Sequence, residues 1–154
     1  MAKFKFRFNE ILELKQEMEH QKKIELANIN KKLMEEKEKL NDLESKLEKI
    51  FSKMKKELTG IIKINNLNAY YSQIAYYLNI IEQQKIFIKE LEKQQNIKKN
   101  ELIKALQERK AFEILKEKQY VRWKKDLLKK EQAFLDFVGI VKKHNDGAKI
   151  NEIN

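Results

Sequence analysis

Cysteine is absent from the 154 residues, which excludes disulfides, thiolate metal sites and thiol nucleophiles together. Histidine is nearly absent too: His20 and His144 lie near opposite ends of the chain, so no zinc site is expected and no cofactor is implied. The chain has no proline and three glycines, a poor fit to a compact fold with many tight turns and a good fit to long helices. No apolar run approaches the roughly 18 residues of a membrane span. Met1 to Phe8 mixes Lys with Phe where a secretory leader needs a continuous apolar core. These absences together point to the cytoplasm. Glycine-rich phosphate loops, nucleophile and base pairs, and ligand clusters are missing as well, so no catalytic residue is nominated and the chain reads as a non-enzyme.

Charge, by contrast, is abundant. Charged residues make up 38% of the chain and the formal net charge is +10, which favours anionic partners in general. Nearly all of the excess is Lys: only Arg7, Arg109 and Arg122 carry the planar fork that reads phosphates and guanine edges well, so nucleic acid is not expected as a partner. Hydrophobic residues still account for 42%, too many for simple disorder if they fall in register.

They do fall in register. Alternating steps of three and four from Leu26 give Ile29, Leu33, Glu36, Leu40, Leu43, Leu47, Ile50 and Met54, a heptad seam in which Glu36 is the one polar member. Between the seam positions lies almost nothing but Lys, Glu, Asn and Asp, so a lone helix would leave a narrow apolar stripe in water and needs a partner helix. Upstream, Ile11, Leu14 and Met18 have helical spacing, but Leu26 follows Met18 by eight residues with Lys22 between, which reads as a stutter. At the start, Lys3-Phe4-Lys5-Phe6-Arg7-Phe8 alternates with period two, the pattern of a short strand or extended arm.

Thr59-Gly60 and the Asn-rich stretch to Asn68 break the heptad, with Gly60 as C-cap and Asn65, Asn66 or Asn68 able to cap a new helix. The expected fold is therefore all-α: a long antiparallel two-helix coiled-coil hairpin forming one domain over 1–154. Helix 1 is expected at about 8–58, the turn at about 59–67, helix 2 at about 68–143 and a flexible tail at 144–154. Pairing about that turn joins positions whose numbers sum to about 128, and it sets the thin seam of Glu92 to Glu101 opposite the thin stretch Ala27 to Glu36. The end of helix 2 then overhangs from Tyr120, carrying its own stripe of Tyr120, Trp123, Leu127, Phe134 and Val138. That stripe, flanked by Arg122, Lys124, Lys125, Lys129 and Lys130, suits a membrane surface, a protein groove or closure by the N-terminal Phe residues.

Just after the turn, Tyr70, Ile74 and Ile81 belong to the second seam. Gln73, Tyr77, Ile80 and Gln84, spaced four, three and four, read as a second face pointing away from it and therefore as a partner site.

The opening Lys-Phe-x-Phe-x-Phe-x-x-Ile-Leu-x-Leu at Lys3 to Leu14, the break near Gly60, the Tyr-rich restart at Tyr70 and the run Arg109 to Lys118 resemble the flagellar FliJ family over nearly the whole chain. The resemblance implies an adaptor and chaperone of the flagellar type III protein export apparatus, cytoplasmic and peripheral at the inner membrane. Implied partners are the hexameric flagellar export ATPase, the cytoplasmic domain of the export gate protein and export chaperones; the protein alone is expected to be monomeric. By this resemblance the export-gate contact falls on Gln73, Tyr77, Ile80 and Gln84. A stalk-like end entering the ATPase ring assigns that contact to Tyr120, Arg122, Trp123 and Leu127. A generic coiled-coil scaffold and a basic nucleic-acid binder are the competing readings.

Overall fold

The structure, a computed structural model, describes residues 3–60 and 64–153. It consists of two α-helices, α1 (Asn9–Leu58, 50 residues) and α2 (Ile64–Ile153, 90 residues), with no strand among the described residues. This is the all-α, antiparallel hairpin that the heptad pattern requires. The chain divides into two compact units: Glu17–Leu106 forms one, and the chain up to Gln16 together with Gln107 onward forms the other.

In the unit Glu17–Leu106 the seam has the period read from the sequence. All nine positions from Leu26 to Met54 are buried or half-buried, and every residue between them is exposed. Leu33 (6% exposed), Ile88 and Leu91 form the central apolar cluster, with Leu40 packed against it. On α2 the three-four spacing is equally regular, through Leu67, Tyr70, Ile74, Tyr77, Ile81, Gln84, Ile88, Leu91, Gln95, Lys98, Leu102 and Ala105. A strict period of 3.5 on both helices keeps the two stripes facing each other.

The expected stutter is absent. Met18 and Ile24 are exposed, while Glu19 is buried and Lys22 half-buried, so the three-four spacing runs on through charged residues. Apolar spacing does not disclose the seam here, because the seam is ionic. Lys22 bonds to Glu101 at 3.1 Å and Glu25 at 3.4 Å, and Lys98 bonds to Glu25 at 3.0 Å and Glu101 at 3.2 Å, closing a ring of four charges across the helices.

The register is also tighter than expected. Lys22 with Glu101 and Glu25 with Lys98 pair positions summing to 123, because α2 begins at Ile64 and not near residue 68. Residues 61–63 of the expected turn lie outside the described residues, and 64–67 are helical. At the end of α1 the Thr59 hydroxyl donates to the Lys56 carbonyl at 2.6 Å and the Gly60 N–H to the Glu57 carbonyl at 3.1 Å. Gly60 thus closes the helix without the left-handed conformation of a glycine C-cap, since no described glycine has positive φ.

In the second unit the period-two N-terminal segment is an extended arm. Phe4, Phe6 and Phe8 are buried or half-buried while Lys3, Lys5 and Arg7 are exposed. Its rings run along α2: Phe8 lies 6.4 Å from Phe112, and Phe4 lies 5.3 Å from Tyr120 and 5.7 Å from Trp123. Leu12, 3% exposed, and Phe6 complete this small core, and Lys15 pairs with Glu108 at 3.0 Å. From Leu128 to Glu152 every residue of α2 is exposed, so the bare end starts later than the predicted Tyr120. It is also helical as far as Ile153, where a flexible tail was expected from 144. Gly139 and Gly147 remain within the helix.

Candidate interaction surfaces

Two stretches carry what the hairpin does not use for itself. The first lies at the start of α2. Residues 64–81 contain no charged side chain in a chain that is 38% charged, and they bring Tyr, Asn, Gln and Ile against the end of α1. Elsewhere in this unit α1 lysines reach across to α2 carboxylates, as Lys37 does to Glu92 at 3.5 Å. Here α2 supplies none. Lys46, Lys49 and Lys53 flank the seam on one side of α1 and form no ion pair among the described residues. With Ile50, Gln73, Tyr76 and Tyr77 they line a groove of about 520 Å³. Tyr76, 62% exposed, packs edge to face on Tyr77 at 5.5 Å and 78°. Beyond Lys53, Glu57 continues the seam spacing past Met54, and its carboxylate accepts the Tyr70 hydroxyl at 2.6 Å. That bond raises the Tyr70 pKa above its usual 10.0, with burial adding to the effect.

Of the four residues predicted to face outward here, only Gln73 is exposed. Tyr77 and Gln84 stand on the seam itself, and Ile80 is half-buried beside it. Gln84 Nε2 donates to the Glu36 carboxylate at 2.7 Å and to the Glu36 carbonyl at 2.9 Å. Spacings of four, three and four fit a seam as well as an outer face, and glutamine, usual on a surface, here sits on the seam. The lysine groove has no motif of its own in the sequence. Its signal was the absence of charge in 64–81, which only pairing with the α1 flank makes informative.

The second stretch is the far part of α2. Of the predicted ring-contact residues, Trp123 and Leu127 are half-buried and Tyr120 and Arg122 exposed. Tyr120 and Trp123 stack on each other at 5.9 Å and both touch Phe4, so closure by the N-terminal arm occupies these two rings. The apolar residues left uncovered come later: Leu128, Phe134 (65% exposed), Leu135, Phe137, Val138, Ile140 and Val141. On helical spacing Phe134, Phe137, Val138 and Val141 form one stripe.

Among the described residues no group of three or more metal-ligating side chains gathers, and no helix is long and apolar enough to cross a membrane. Together these features define a helical-hairpin protein whose exposed faces, one basic and aromatic and the other apolar, are suited to binding other macromolecules. The model of the flagellar FliJ protein family matches residues 4–138, and the chain belongs to that family. Membership brings a flagellar export-related role. No curated protein and no solved structure matches the chain.

Proposed function

We propose that the protein is a non-enzymatic adaptor of the flagellar export apparatus, working in the cytoplasm and linking the hexameric export ATPase to the cytoplasmic domain of the export gate while assisting chaperone recycling. The observation that carries this reading is the bare apolar stripe of α2 after Leu127. A solvent-facing Phe134, Phe137, Val138 and Val141 on one helix is costly unless another protein covers it. The ATPase ring is assigned to this stripe, with Arg122 and Leu127 at its near edge and Tyr120 and Trp123 held in place by Phe4. The gate is assigned to the start of α2 around the exposed Gln73 and Tyr76, with the half-buried Tyr77 and Ile80 beneath them and Gln84 holding the hairpin behind.

The test measures stimulation of the export ATPase by the full chain. Phe134→Ala with Val138→Ala is expected to abolish stimulation without moving the thermal midpoint, because both side chains are exposed. Unchanged stimulation would remove the ring assignment.

A further inference from the structure

We propose that the groove between Lys46, Lys49 and Lys53 on α1 and Gln73, Tyr76 and Tyr77 on α2 docks an acidic amphipathic helix of another protein. The inference rests on the reading of the start of α2 as a protein-docking region and adds the chemistry of what docks there.

Charge complementarity carries the argument. Farther along this unit the two helices satisfy each other's charges across the seam, in Lys22 with Glu101, Lys98 with Glu25 and Lys37 with Glu92. Lys22 lies on the seam and Lys37 on the other side of it from Lys46, Lys49 and Lys53; the part of α2 that faces these three, residues 64–81, has no carboxylate to offer. A neutral stretch this long in so charged a chain leaves three cations on one wall of a groove, and an acid that pairs with them across that groove comes from outside the chain. Lys46, Lys49 and Lys53 recur at three- and four-residue spacing, rising about 10 Å along the helix. A second helix laid alongside would present carboxylates at that same spacing, so the partner matches as a helix better than as a single anion.

The groove floor specifies the partner's other face. Ile50 is half-buried between the helices and Tyr77 beside it, while Tyr76 stands up at the rim. An aliphatic side chain of a docked helix can reach Ile50, whereas a flat lipid surface would meet only the lysine ends and Tyr76. Lysines without arginine also lack the fork that grips phosphates bidentately, which favours carboxylates over nucleic acid.

The test uses the full chain and a short fluorescent helical peptide carrying Glu at three- and four-residue spacing beside a Leu stripe. Fluorescence anisotropy should show binding that weakens with salt. The variant K46Q/K49Q/K53Q should bind roughly tenfold more weakly at an unchanged thermal midpoint. The charge-reversed peptide should not bind. No binding to the wild-type chain, equal binding by the triple variant, or equal affinity for the reversed peptide overturns the proposal. So does displacement of the peptide by anionic vesicles or duplex DNA that bind more tightly through the same lysines. A pull-down with the gate's cytoplasmic domain separates the two readings. Retention of that domain undiminished in K46Q/K49Q/K53Q sinks the groove and leaves the gate assignment standing. Peptide binding lost in the variant, with no retention of the gate domain by either chain, does the reverse.

Discussion

Glu36 interrupts an otherwise apolar seam, and the side chain that meets it is Gln84, which donates to both its carboxylate and its carbonyl. Lys39 bonds to the same carboxylate at 3.0 Å. The amide and the ammonium together hold the Glu36 pKa below its usual 4.5, outweighing the opposing effect of burial. A polar pair inside a seam costs stability relative to leucine but rewards one register, because sliding either helix leaves a partly buried carboxylate without its donor. Gln84→Ala is therefore expected to lower the thermal midpoint, while Glu36→Leu with Gln84→Leu raises it. Leu33→Ala, three residues away in the apolar cluster, sets the scale by removing about 2–5 kcal/mol. Circular dichroism melts of the three variants check the order, and a double variant less stable than wild type would show that the pair contributes net stability.

Within α1 and α2 the balance changes along the seam, and so does what the sequence could reveal. Leu26 to Met54 was legible because leucine and isoleucine recur there with lysine and glutamate between, and burying each such side chain is worth about 1.5–3 kcal/mol. Around Lys22 the same period continues in Lys and Glu, residues that occupy exposed positions elsewhere on the helix, so only the cross-helix partners Glu101 and Lys98 disclose it. Likewise, the part of α2 after Leu127 has no described helix facing it, so no pairing marks where it ends, and its two glycines, Gly139 and Gly147, do not end it. An added Cβ would meet nothing at either glycine, and both remain helical.

The ionic section of the seam gives the hairpin its pH response. Hydrogen bonds from Lys98 to Glu25 and from Lys22 to Glu101 hold both carboxyls below 4.5, so their contribution is complete above that value and is lost as pH falls through the depressed pKa. The same bonds raise Lys22 and Lys98 above 10.5, so the lysine contribution is complete below 10.5 and lost as pH rises through the raised pKa. Stability should form a plateau between the two limits and fall at either end. In Glu25→Gln with Glu101→Gln the acid-side fall of the thermal midpoint should flatten. All four groups are partly exposed, so salt should shrink the effect, and hydrogen exchange should be faster around Lys22 and Lys98 than around Leu33 and Leu91.

For the molecule as a whole, a seam closed within one chain makes a different prediction from a seam closed between chains. Leu33 already finds Ile88 and Leu91, and Phe4 already finds Tyr120 and Trp123, so the buried surface needs no second copy. The thermal midpoint should then be independent of protein concentration, as it cannot be for a scaffold that pairs the first seam with another chain. Residues 128–152 are all exposed, which allows a sharper form of the test. Ending the chain after Leu127 should leave the midpoint of the remaining protein unchanged while abolishing stimulation of the export ATPase, since the stripe of Phe134, Phe137, Val138 and Val141 goes with it. A midpoint that falls on truncation, or that rises with concentration in the full chain but not in the shortened one, would mean that this stripe holds copies of the protein together, and the ring would lose its claim to it.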